Sequence, residues 1–452
     1  MFKIPNVILS INKDAKANKI AVLSEADALV MQRMFSGSVG IDYITGGGYA
    51  YKKVQILFGA KSVGKNAGLN QMIAYNQRLC RLCKGIRPDF YNNDTDRHTN
   101  FLKMVMGIPE CKCDDFDPKK FLILDYEKSI TKEQDTVEIL KKYFNSKTGE
   151  SVDELDYNET MIELERLKKK KKLSDEDSQA IVSYEEWLQN IKTEEEKITR
   201  ISTMDYLSAC GVLINELMIN DPEDTEEGIE VCRKVIPSRE IDGIIWDSLQ
   251  AAIPKWVKER DAEQDSMGKE AKQNALLLRH ISSKYASADI KDPAEAYKPA
   301  VFITSQLRSD LSSFFKVDTW SGGHAAKHHA SLALEHKRAV FLSDDGTEAN
   351  SKNKKPYFGQ TIKLRAEKNK LAPPETTAEV DYYFKAGEKM QIGFDHVKEI
   401  TMLGIKFGII EQAGAWYRVG EEKFNGMEKL TEFCKTNPDF VGRVYKQLRT
   451  KF

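Results

Sequence analysis

Several features that would settle a class at once are missing from this 452-residue chain. No run approaches the roughly 18 consecutive apolar residues of a membrane-spanning helix, so no membrane partner is expected. No small-residue cleavage site follows the short apolar stretch in "MFKIPNVILSINKD", so no secretion signal is expected and the cytoplasm is the expected compartment. Neither charge sign dominates: 68 basic and 69 acidic residues leave a net charge of −1. Steering of a polyanion by the whole molecule is thereby excluded, and any nucleic-acid surface has to be local. Cysteines are few and odd in number, seven, which suits free thiols in a reducing compartment better than a disulfide scaffold. What remains, 41% hydrophobic and 30% charged residues, is ordinary for a globular protein large enough to bury a core.

One absence sits inside a motif. "FGAKSVGKNAGLN" at Phe58–Asn70 has Gly59, Gly64 and Lys65 at the spacing of a phosphate-binding P-loop, yet position 66 is Asn, where a Ser or Thr hydroxyl normally holds magnesium. The context is right: the apolar run from Val54 ends in this turn, and a helical pattern follows with Leu69, Met72 and Ile73 on one side. Such a loop binds phosphate because consecutive backbone N–H groups, here from Gly59, Ala60, Lys61, Ser62, Val63, Gly64, Lys65 and Asn66, point into one cavity at a helix N-terminus. Lys65 is expected to reach the β- and γ-phosphates of ATP. Further strands are expected in "KKFLILDYE", "ITRIST", "IDGIIWDS" and "PAVFITSQ". Apolar strands alternating with helices imply an α/β fold with a mostly parallel central sheet. Asp247 and Asn66 are the candidate magnesium ligands, and Glu127 the carboxylate that orients the attacking water.

These residues and several long segments together resemble the RecA recombinases, of the divergent type that large bacteriophages encode. The segments are "SGSVGIDYITGGGYAYKKVQILFG", "WDSLQAAIPKWVKERDAEQDSMGKEA", "FITSQLRSDLSSFFKVDTWSGGHAAKHHASLALEHKR", "AEKNKLAPP" and "GIIEQAGAWYRVGEEKFNGMEKLTEFCKTNP". The resemblance implies an N-terminal polymerisation segment over 1–36, a P-loop ATPase core over 37–392 and a small α+β C-terminal domain over 393–452. It implies a DNA-dependent ATPase that forms helical filaments with itself on single-stranded DNA and exchanges strands with duplex DNA, assisted by single-strand-binding and loader proteins. Gln306 would sense the γ-phosphate, and Lys368 and Lys370 would reach a neighbouring protomer's ATP. DNA would be held by Met267 and Gly268 in a first loop, and by Arg308, Phe315, Trp320, Gly322, Gly323 and Lys327 in a second. Aromatics beside cations in that second loop suit sequence-tolerant stacking on single strands. His324, His328 and His329 fit phosphate contacts there better than a metal site. Departures from the family pattern are Ser305, where Asn is usual, and the lack of an adenine-contacting Asp and Tyr in "KSITKEQ" after Glu127. The basic ending "YKQLRTKF" implies less restraint on duplex binding than an acidic tail gives. Two other readings stay open: a RecA-like filament or scaffold with little ATP hydrolysis, and a RecA-like helicase.

Two insertions lie outside the pattern. In 80–117, Cys80, Cys83, Cys111 and Cys113 form two close pairs, the composition of a structural zinc site, with His98 as a substitute ligand. Cys210, Cys232 and Cys434 are scattered and read as packing residues. The second, 134–197, is highly charged and reads as a helical hairpin. Ser174 caps its second helix with Asp177 three residues on, and Ile181, Tyr184, Leu188 and Ile191 share a face. Its run "LKKKKKL" reads as a solvated face ahead of a DNA contact.

Overall fold

The computed structural model describes residues 32–130, 137–145, 151–152, 154–170, 174–199, 203–258, 269–285, 296–309, 318–320, 327–350, 352–388 and 390–452. Most of the expected polymerisation segment, residues 1–31, lies outside them. So do Met267, Gly268, Phe315, Gly322 and Gly323. The chain forms two compact units, Met1–Thr131 with Met204–Phe452, and Lys132–Thr203.

Among the described residues the first unit is built on an 11-stranded sheet. Its main strands are β1 (Val54–Gly59), β2 (Phe121–Asp125), β3 (Leu217–Asn220), β4 (Gly243–Asp247), β5 (Ala300–Ser309), β6 (Leu332–Leu342), β7 (Gly359–Asn369), β8 (Thr377–Tyr383) and β9 (Gly393–Phe394). They lie side by side in the order β9-β8-β7-β6-β1-β5-β4-β2-β3. From β3 to β6 every pairing is parallel, and from β6 to β9 every pairing is antiparallel.

Alternation along the parallel strands sends apolar side chains to both faces. Val54, Ile56 and Phe58 of β1, Ile244 and Trp246 of β4, and Val301 and Ile303 of β5 join Ile229, Cys232 and Ile236 of the helix Thr225–Ser238, with Leu277, Leu278 and Ile281 of the helix Lys269–Lys284. Leu57, Phe121, Ile123, Ile245 and Phe302 point the other way, against Leu69, Met72 and Ile73 of the helix Lys65–Gln77. A sheet covered on both faces explains why these strands read as unbroken apolar runs.

One expected strand is placed differently. "ITRIST" does not enter this sheet: its first residues close the strand Ile191–Thr199 of the second unit, and Thr203–Ala209 is helical. The edge position belongs instead to β3, "LMIN", whose two middle residues are exposed. An edge strand open on one side needs no continuous apolar pattern, so its signal is weak.

The C-terminal part is α+β: helices His396–Lys406, Met427–Thr436 and Pro438–Leu448 surround the antiparallel strands Glu411–Ala413, Trp416–Val419 and Glu422–Asn425. Its first helix reaches back through Glu399. That carboxylate accepts hydrogen bonds from Ser38 Oγ (3.0 Å), Val39 N (2.6 Å) and Gly40 N (3.2 Å), at the start of the helix Val39–Thr45.

The second unit is a helical hairpin on a β-ribbon stem. Val137–Asn145 pairs antiparallel with Ile191–Thr199, and the helices Glu154–Lys168 and Asp175–Gln189 pack together. Ser174 and Asp177 form the expected reciprocal cap. Within the lysine run, Lys168 pairs with Glu185 (2.6 Å), Lys169 with Glu165 (3.1 Å) and Lys170 with Asp177 (2.9 Å). All three lysines stay exposed, and Lys171 and Lys172 lie outside the described residues.

Candidate nucleotide-binding site

Parallel pairing in register brings the functional strand ends to one edge of the sheet. Gln306 of β5 lies beside Gly59 of β1, and Asp247 of β4 lies beside Asp125 of β2. Glu127 follows two residues after Asp125, and its backbone N–H donates to Asp247 O (3.2 Å). The P-loop then turns over this edge. Gly59 has no room for a side chain, because a Cβ there would lie 2.3 Å from His336 O. Gly64 is left-handed (φ 90°), and its Cβ would meet Ile362 Cδ1 at 2.4 Å. Gly59 is therefore required by close approach of backbone, and Gly64 by its left-handed conformation.

These elements enclose a cavity of about 600 Å³. Lys61 through Ala67, Glu127, Asp247, Ser248, Thr304, Ser305 and Gln306 line it. Lys65 Nζ donates to Gly59 O (3.1 Å) and Ala60 O (2.6 Å), folded back onto the loop. Burial lowers its pKa, a cost that Asp247 and Glu127 partly offset. Asp247 is gripped from two sides: Thr304 Oγ1 donates to Oδ1 (2.7 Å) and Asn66 Nδ2 donates to Oδ2 (2.7 Å). Burial raises the Asp247 carboxyl above the usual range, and the nearby Glu127 charge adds to this. Ser248 Oγ hydrogen-bonds Glu127 Oε1. Gln250 Nε2 bonds Ser305 Oγ (3.0 Å) and Gln306 O (3.1 Å), tying the end of β5 to the segment after β4.

The wall of the cavity also holds a residue that the sequence did not point to. Tyr206, on the helix Thr203–Ala209, lines it with Tyr382 and Phe384, and its hydroxyl lies 3.1 Å from that of Tyr382. Tyr206 reaches the cavity from beyond the whole second insertion, which separates it in sequence from Glu127. Ser248 and Thr304 were also missed, although each adjoins or precedes a recognised strand-end residue.

Lys368 and Lys370 are not brought to this cavity. They lie at the opposite edge of the sheet, where Lys370 N donates to Ser331 O and Ser331 N to Val54 O, at the start of β1. Lys368 Nζ contacts the carbonyls of Lys327 and His328, and Lys370 Nζ donates to His328 O (3.0 Å). Lys327 itself is exposed. Arg308 and Trp320 sit on a β-ribbon that extends β5, with Arg308 opposite Thr319 and Leu307 opposite Trp320. That ribbon is the base of the expected second DNA loop.

Away from the sheet edge, the sulfurs of Cys80, Cys83, Cys111 and Cys113 all lie within 4.8 Å of one another. His98 is not among them. It is buried with its ring edge-on to Tyr75 (4.7 Å) and Nδ1 3.8 Å from Asp96, and burial pushes its pKa down to about 4. Cys210, Cys232 and Cys434 are buried packing residues, as expected.

The RecA N-terminal domain family model matches residues 199–389, and the RecA C-terminal domain family model matches residues 398–452, together a little over half of the chain. The chain belongs to the RecA family. Protein RecA of Bacillus licheniformis is 30% identical over 249 residues, covering 55% of this chain and 65% of its own length. Protein RecA of Bacillus subtilis is 29% identical over 249 residues with the same coverage. Protein RecA of Chloroflexus aggregans is 29% identical over 248 residues, covering 54% of this chain and 64% of its own length. The chain thus spans just under two thirds of the length of these curated relatives. Asp247, Gln306, Lys368 and Lys370 fall inside the RecA N-terminal domain match, whereas the P-loop, Glu127 and the four clustered cysteines precede it. Among the described residues no helix is long and apolar enough to cross a membrane.

Proposed function

We propose that this RecA-family chain is a DNA-dependent ATPase and strand-exchange recombinase of the cytoplasm. It would polymerise on single-stranded DNA as an ATP-bound helical filament and pair that strand with a homologous duplex. The observation that carries this reading is the cavity of about 600 Å³ in which Lys65, Asn66, Glu127, Asp247 and Gln306 converge from separate elements. In it the P-loop amides and Lys65 cradle the phosphates, and Asp247 with Asn66 holds Mg²⁺. Glu127, oriented by Ser248, positions the attacking water. Gln306 reads the γ-phosphate at the root of the second DNA loop, and Tyr206 supplies a stacking face for the base. Met267 and Gly268 of the first loop, and Arg308, Phe315, Trp320, Gly322, Gly323 and Lys327 of the second, are the proposed DNA contacts. Single-strand-binding and loader proteins are the expected accessory partners. Cys80, Cys83, Cys111 and Cys113 suit a structural Zn²⁺, since four thiolates at mutual contact distance are what a tetrahedral ion requires.

The test is ATP hydrolysis with and without single-stranded DNA. Stimulation by DNA is expected; absence of turnover in both would overturn the enzymatic reading. A second reading, a DNA-binding filament with little turnover, is favoured by one observation: the Asn66 amide takes the place of the hydroxyl that normally meets magnesium, and it donates to Asp247. Filaments that form on DNA without hydrolysing ATP would support that alternative.

A further inference from the structure

The cysteine-bearing insertion is built into the rest of the molecule. Cys80 follows the end of the helix Lys65–Gln77 almost directly. The paired approaches are Cys83 to Cys111 (3.4 Å) and Cys80 to Cys113 (4.0 Å), and the Gly85 N–H donates to Cys83 Sγ (3.3 Å). Backbone bonds close the same neck: Ile86 N to Pro109 O (2.8 Å), Cys111 N to Ile86 O (2.7 Å) and Arg81 N to Asp117 O (2.8 Å).

Between the two cysteine pairs, residues 84–110 carry little regular structure beyond the short helical pieces Pro88–Tyr91, Arg97–Asn100 and Phe101–Val105. They nevertheless contribute apolar side chains to a core. Ile86 and Leu102 are fully buried, and Phe101, Val105, Met106 and Ile108 pack beside them. That core is shared with C-terminal residues, among them Ile400, Leu430, Val441 and Val444, and with Phe35, Val39, Tyr75 and Leu79 from earlier in the chain. Contact is close at two points. The Phe101 ring stacks on His396 at 4.2 Å, and a Cβ on Gly442 would lie 3.0 Å from Met104 O. One wall of the C-terminal domain's core is therefore a long irregular loop whose two ends meet at the thiols. Holding such a loop closed opposes chain entropy, and a metal bound across its neck offsets that cost directly.

We propose that zinc at Cys80, Cys83, Cys111 and Cys113 docks the C-terminal domain, by fixing the loop that supplies a wall of that domain's core. The inference rests on the zinc reading above. The experiment is amide hydrogen exchange on the full chain before and after zinc is displaced with p-hydroxymercuribenzoate, with released zinc measured in the same sample. About one zinc per chain is expected, together with an at least tenfold faster exchange in His396–Lys406 and Pro438–Leu448 and unchanged exchange in β1. If zinc leaves and exchange rises in 80–117 alone, docking is overturned while the zinc reading stands. If no zinc is released, both fall. If β1 exchange rises as well, the metal supports the whole fold and a specific docking role is overturned. Leu102→Ala, which leaves all four thiols in place, tests the wall without touching the metal. Zinc should be retained while exchange in the same two helices rises; unchanged exchange there would overturn the proposal.

Discussion

The two edges of the central sheet differ in kind. At one, the P-loop after β1, Glu127 just after β2, Asp247 at the end of β4 and Gln306 of β5 line an open cavity. At the other, Lys368 and Lys370 rest on the carbonyls of Lys327 and His328, level with the start of β1. One edge gathers acids and the glycine-bearing turn after β1; the other carries cations held against backbone carbonyls ahead of β6. On the function proposed above, one edge would carry the main part of a nucleotide site and the other the completing cations of a neighbour's. Polymerisation would bring them together, and ATP would then join neighbours.

The pocket edge should fail most severely. Glu127→Gln keeps the side chain's shape and removes the charge that orients water, so turnover should fall by about 10³-fold with nucleotide binding retained, as for other lost general bases. Steady-state hydrolysis and nucleotide titration check this together. At the far edge, Lys368→Ala with Lys370→Ala should leave ATP affinity of the unassembled protein unchanged and lower DNA-stimulated turnover by about 10²-fold, the usual cost of one lost charge-stabilising contact. Loss of affinity in the unassembled protein would mean the lysines serve their own pocket, and the contrast between edges would dissolve.

Asn66→Thr should have a smaller effect in the opposite direction. A hydroxyl is a better short-range ligand for a hard cation than an amide already committed to Asp247. Turnover should rise several-fold, or the magnesium concentration for half-maximal rate should fall.

The smallest effect concerns pH. Burial raises the Asp247 carboxyl, so the fold favours its protonated form. The stability this contributes is complete below the ordinary carboxylate value of about 3.9 and is lost as pH rises through the raised value. Magnesium binds the ionised form and relieves the penalty. The thermal midpoint should therefore gain more from Mg²⁺ at pH 8 than at pH 5, and Asp247→Asn should remove the difference.

How much of this was legible depended on continuity in sequence. The P-loop, Glu127, Asp247 and Gln306 lie on or just after strands buried on both faces, whose apolar runs are legible in sequence, so their meeting at one cavity could be anticipated. Tyr206 could not, because the inserted unit separates it from Glu127. β3 was missed for a different reason: at the sheet edge its Met218 and Ile219 are exposed, and "ITRIST" offered the stronger apolar pattern. The four cysteines announced their cluster by spacing. The core that their loop shares with the C-terminal helices did not announce itself, since Ile86, Leu102 and Val441 follow no common period and meet only in the folded chain. His98 is a substitute ligand by residue type alone, and burial against Tyr75 gives it a packing role instead.

The central claim is that the two edges meet across a nucleotide when protomers assemble on DNA. Electron microscopy of the full chain with single-stranded DNA and a non-hydrolysable ATP analogue tests it most directly. Regular helical filaments that require the analogue and are lost in the Lys368→Ala, Lys370→Ala variant are expected. Absence of helical filaments with the unaltered chain, or filaments indifferent to nucleotide, would contradict it.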